Sequence, residues 1–141
     1  MNTWFDCKVA YEKTLENGML KKIAESYLVN AFNIVEVEKK IVENLKPYIR
    51  GEFEVTDIRK AKIAELYYEN TYEDALWYKL KLVFITIDEN KGKERKTNNF
   101  VIIKAKDIKQ ALNILEDKMK GSVMDYTIAS IVETTYCDVF L

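Results

Sequence analysis

Residues 77–84 read WYKLKLVF, and residues 4–11 read WFDCKVAY. The two stretches lie 73 positions apart and share one pattern, an aromatic pair followed by apolar residues at every second position. Tyr78, Leu80, Leu82 and Phe84 answer to Phe5, Cys7, Val9 and Tyr11, with charged residues set between them. A period of two sends alternate side chains to opposite faces of a strand, so each stretch predicts a strand with one buried face.

Reading outward from the first copy, ENG (16–18) marks a turn and IAESYLVNA (23–31) the returning strand. From Asn33 the period lengthens. Ile34, Val37, Ile41 and Leu45 then line one face of a helix, and Asn33 with Glu36 matches a capping box. Pro47 and Gly51 close that segment, and 52–68 is one long strand. The second copy runs in the same order. ENKGK (89–93) is the turn and 98–105 the return strand. Asp107 and Gln110 form the capping box, and Ile108, Ala111, Leu112, Leu115 and Met119 the helix face. Gly121 ends that helix, and 125–140 is the final long strand. In both long strands the inward phase slips once, between Val55 and Ile58 and between Ile128 and Ile131, which predicts a β-bulge at the same place in each copy.

These readings predict an α+β chain: a tandem strand–strand–helix–strand pseudo-repeat, about 3–68 and 76–141, joined by 69–75. The two copies are expected to form a single domain over 1–141, with six strands in an antiparallel sheet and two helices on one face. The second copy's first strand is also apolar in its other phase, at Val83, Ile85 and Ile87. That second apolar face predicts a homo-oligomer.

Composition narrows the chemistry. The 141 residues contain no His, so Ser-His, Cys-His and His-metal chemistries are excluded within one chain. Two cysteines, Cys7 and Cys137, cannot make an ordinary zinc site without His, and they read as free thiols of a reducing compartment. Neither a Gly-rich phosphate loop nor a nucleophile elbow is present. No metal or cofactor is expected, and the chain is read as a non-enzyme. Apolar runs fall far short of the ~20 residues that span a bilayer, and MNTWFDCK has no basic start or apolar signal core, so a cytoplasmic location is expected.

Basic residues recur at matching places. Lys21 and Lys22 follow the first turn; Arg95 and Lys96 follow the second, with Lys91 and Lys93 before them. Arg59, Lys60 and Lys62 sit near the first slip. Gathered together, these arms would hold an anion such as a nucleotide phosphate; equally, they would guard exposed strand edges. Trp4 and Trp77, with Tyr67, Tyr68, Tyr72 and Tyr78, are candidates for stacking on a base or for packing at the seam. Among the acids, which include Glu69 and Glu73, Asp57 and Asp125 lie nearest the irregular strand regions. A net charge of −1 argues against a duplex-DNA binder.

Four stretches carry a resemblance: TWFDCKVAYEKTLENGMLKK, GEFEVTDIRKAKIAEL, WYKLKLVFITID and KGSVMDYTIASIVETTYCDVF. The chain resembles an uncharacterised family, a domain of unknown function, of small proteins from gut anaerobes and their phages and mobile elements. The resemblance implies a mobile-element context and a cytoplasmic setting, and it carries no catalytic residues. The expected function is a non-enzymatic, homo-oligomeric binding protein that sequesters a small anionic ligand such as a nucleotide. The alternatives are a protein-interaction or inhibitor module using the apolar sheet face, and a single-stranded nucleic-acid binder.

Overall fold

A computed structural model describes residues 2–68 and 74–141; Glu69, Tyr72 and Glu73 lie outside the described residues. The order is β1 (Thr3–Thr14), β2 (Leu20–Ala31), α1 (Ile34–Leu45), β3 (Phe53–Ala61), β4 (Glu65–Tyr67), β5 (Leu76–Asp88), β6 (Lys93–Ala105), α2 (Ile108–Lys118), β7 (Asp125–Glu133) and β8 (Tyr136–Phe140). The fold is α+β. It divides into two compact units, Met1–Ala61 with Thr135–Leu141, and Lys62–Thr134.

In unit 1, β1 and β2 form a hairpin in which Thr3 faces Ala31 and Thr14 faces Leu20. Its alternation places Phe5, Cys7 and Val9 on the same face as Tyr27, Val29 and Ala31. There they pack with Val37, Ile41 and Leu45 of α1. Each of those three helix residues contributes about 1.5–3 kcal/mol by leaving water. The helix begins where the sequence signals it. The Asn33 side chain accepts a hydrogen bond from the Glu36 amide at 2.9 Å, and Glu36 accepts one from the Phe32 amide at 3.4 Å. Lys40 ties the helix to the sheet by donating to the Asn30 carbonyl at 2.6 Å.

Unit 2 is built the same way. Tyr78, Leu80 and Leu82 of β5 share a core with Val101, Ile103 and Ala105 of β6 and with Ala111 and Leu115 of α2. Asp107 caps α2 by accepting from the Gln110 amide at 2.7 Å, and Gln110 accepts from the Lys106 amide at 2.8 Å. The two bulges lie where the phase slips. Val9 faces Val55 and Lys8 faces Asp57, which leaves Thr56 as the extra residue. Leu82 faces Ile128 and Lys81 faces Ser130, which leaves Ala129.

The sheet itself corrects the sequence reading. In place of one six-stranded antiparallel sheet there are two four-stranded mixed sheets, ordered β3-β1-β2-β8 and β4-β6-β5-β7. The long strand expected over 52–68 breaks between Ala61 and Glu65, and the one over 125–140 breaks between Glu133 and Tyr136. The second pieces are not continuations of the same ladder. Instead, β4 pairs in parallel with β6, and β8 pairs in parallel with β2. The physical reason is the open edge of each hairpin, whose amides and carbonyls need partners that the hairpin cannot supply.

Replacing Asn33 or Asp107 by Ala removes one cap each and is expected to cost about 0.5–2 kcal/mol, read as a lowered midpoint in urea unfolding. Unchanged midpoints for both would show that these side chains do not cap.

Candidate functional site

The basic residues that looked alike in sequence occupy different surroundings. Lys21 and Lys22 face Lys13 and Glu12 at the turn end of the β1–β2 hairpin. Arg59 and Lys60 face Asp6 and Phe5, toward the other end of β1. Six residues of extended strand separate Glu12 from Asp6, about 20 Å at ~3.3 Å per residue. Within unit 1, therefore, these two pairs lie too far apart along the strand to meet in one site. Arg59 is already engaged, its Nε lying 2.9 Å from Asp57 Oδ2 in an exposed pair.

In unit 2, Arg95 and Lys96 face Thr86 and Ile85 on the β5–β6 ribbon. Lys62 precedes β4; Ala64, two residues on, donates to the Phe100 carbonyl, four residues along β6 from Lys96. Asp125 opens β7 opposite Ile85.

The two tryptophans also differ. Trp4 is half-buried on β1, whereas Trp77 is only 9% exposed. The Lys104 ammonium sits 5.6 Å from the Trp77 ring centroid, and the Trp77 carbonyl accepts both the amide and the hydroxyl of Thr134 at 2.8 Å. Trp77 thus packs and anchors the chain, and its ring is not presented to solvent for stacking. Val83 and Ile85 are half-buried, and Ile87 is 72% exposed.

Unit 1 has a concave surface of its own. A cleft of about 780 Å³ lies between the turn end of the hairpin and the loop that joins α1 to β3. That size suits a nucleotide-sized molecule. Lys22 and Arg50 line it, together with Glu12, Glu52 and Glu54. None of these five side chains is in an ion pair with another described residue. Gly51, between Arg50 and Glu52, has φ 89°, a left-handed conformation that strains other residues. It aims this stretch of loop along the cleft. Arg50 escaped the sequence reading because a loop residue after Pro47 belongs to no period; the only signal was its place beside Gly51.

A second polar group was also missed. Glu25 occupies an inward position of β2, where its two oxygens accept the hydroxyls of Tyr11 at 2.7 Å and Tyr27 at 2.5 Å. Tyr27 in turn stacks on Phe140, with ring centroids 5.3 Å apart. The matching positions of unit 2 are Phe84, Asn99 and Val101, so this network belongs to unit 1 alone. A carboxylate in the inward phase, flanked by tyrosines, was the available signal.

Titration follows from these surroundings. The hydrogen bond to Glu25 is the main reason that the Tyr11 phenol is pushed up to about 12. Burial, followed by the same carboxylate, raises Tyr27, while burial and a hydrogen bond to Asp6 raise Tyr136. Burial drives the Cys7 thiol up to about 11, and it raises Cys137 as well. Neither thiol therefore has the lowered pKa of an activated nucleophile. Among the described residues, no group of three or more acidic or cysteine side chains is placed to hold a metal ion.

An unfolded tyrosine ionises near 10, so the folded chain holds extra protons between pH 10 and about 12. The stability this contributes is full below pH 10 and falls as pH rises through the folded values. Glu25→Gln should bring the Tyr11 ionisation back toward 10, read by ultraviolet titration of phenolate. An unaltered titration curve would show that Glu25 does not hold the phenol.

Among the described residues, no helix is long and apolar enough to cross a membrane. No curated protein matches the chain. One family model does: Domain of unknown function (DUF4494) matches residues 3–141, and the chain belongs to that family.

Proposed function

We propose that this protein is a non-enzymatic binding protein that takes a small anionic ligand, with a nucleotide as the leading class, in the cleft of unit 1. The observation that carries the proposal is the pair of unengaged cations, Lys22 and Arg50, on one concave surface of suitable volume. Arg50 offers planar, two-pronged contact to a phosphate, and Lys22 a mobile point charge. The three glutamates beside them would accept hydrogen bonds from sugar hydroxyls or base amino groups. They outnumber the two cations by one, so the local field does not steer an anion inward, and recognition works by direct contact with Arg50 and Lys22 alone. A cytoplasmic setting, in a phage or mobile element, is part of this proposal, since sequestration of a small host molecule needs no catalytic group.

Isothermal titration with nucleoside mono- and triphosphates, at low and moderate salt, tests it. Arg50→Ala or Lys22→Glu should weaken binding by about 1.5–3 kcal/mol, because a charged hydrogen-bond partner is lost. Arg59→Ala, outside the cleft, should leave affinity unchanged. A wild-type protein that binds none of these ligands overturns the proposal. Weakening that grows with oligonucleotide length and collapses with salt would instead mark a single-strand binder.

A second reading rests on a separate observation, the 72% exposure of Ile87 beside Val83 and Ile85. Contact between copies through this strand face would make the protein a homo-oligomer, and the same face would serve a protein-interaction role. Light scattering across a concentration series should show an oligomer that Ile85→Lys converts to monomer. A wild type that stays monomeric at high concentration removes this reading.

A further inference from the structure

Unit 1 is discontinuous in sequence, and its sheet is finished by the last strand of the chain. Unit 2 receives its own edge strand from the stretch that follows β3. Each sequence half therefore builds two paired strands, a helix and a bulged third strand, and then sends its closing strand into the other sheet.

The registers of the two closing pairs agree closely. Leu66 faces Ile102 and Tyr67 faces Ile103; Val139 faces Leu28 and Phe140 faces Val29. The donor residues are 73 positions apart and the acceptors 74, the spacing of the two copies themselves. Side chains repeat the arrangement: Tyr67 packs against the unit 2 core and Phe140 against the unit 1 core. The backbone is anchored at one crossing by the Ala64 amide on the Phe100 carbonyl, and at the other by the Thr134 amide on the Trp77 carbonyl.

We infer that the open edges of β2 and β6 are docking sites for the closing strand of the opposite sequence half, and that this reciprocal exchange makes the two halves depend on each other to fold. A parallel strand cannot follow its neighbour through a tight turn and needs a long crossover. For β2 that crossover runs through α1, β3 and the whole of unit 2. The hairpin of each half thus lacks a parallel partner from its own sequence, and the fourth strand comes from the other copy. Exchange of identical elements between copies is a known route to pairing; in this chain it runs between two covalently joined halves.

Amide hydrogen exchange on the full chain tests the dependence. Leu66→Pro lies in the first half, yet it should lower protection of β6 amides in the second half at least tenfold. Val139→Pro, in the second half, should do the same for β2. Tyr67→Ala and Phe140→Ala, which keep the backbone donors, serve as milder versions if proline prevents folding, and each should loosen the sheet of the opposite half. Loss of protection confined to the half that carries the substitution, or no loss in β6 and β2 with any variant, overturns the inference.

Discussion

A two-stranded ribbon buries one face under a helix and still leaves a row of amides and carbonyls along its outer edge. In both units that edge, on β2 and on β6, is met by a short parallel strand, β8 or β4. Much else follows from this constraint. It explains why each long strand stops after its bulge, because the residues beyond are needed in another ladder. It also explains why the chain passes from unit 1 to unit 2 and back. Phe140 and Tyr67 arrive with those strands and help to close the two cores.

Upon this shared backbone plan the two units carry different polar groups. Unit 1 has Glu25 gripped by Tyr11 and Tyr27, and the cleft between its hairpin and the Arg50 loop. Unit 2 has Phe84, Asn99 and Val101 in the matching positions, with Lys79 set 4.6 Å from the centre of the Phe100 ring. Packing needs are alike in the two copies, and so their apolar residues are alike. Their polar residues are free of that demand and have diverged. Of the two cations in the cleft, Arg50 differs between the copies, its counterpart being Val123, whereas Lys22 keeps a basic counterpart in Lys96.

Charge placement shows why resemblance between segments does not establish a site. Lys22 and Arg59 each fit a basic arm in the linear pattern. In the folded unit they lie toward opposite ends of β1, and Arg59 pairs with Asp57 two residues away in an exposed ion pair. Lys22 instead lines a cleft with Arg50, which comes from a loop rather than from a strand. Trp77 shows the same thing for aromatics, since a ring at a junction became a packing residue.

The sequence by itself determined the elements that short-range physics controls. The period of two marked β1 and β5, and the period near 3.6 marked α1 and α2. The side chains of Asn33 and Asp107 marked where the helices start, and a single phase slip marked the bulges at Thr56 and Ala129. Each signal comes from residues within a few positions of one another, acting on their own backbone. Only the tertiary structure decided which strands lie side by side at the outer edges. A parallel partner such as β8 for β2 lies more than a hundred residues away, and alternation alone does not name it. The same holds for the site: Lys22 was visible as a charge, but its company with Arg50 depends on a left-handed turn at Gly51 and on how a loop returns to the sheet.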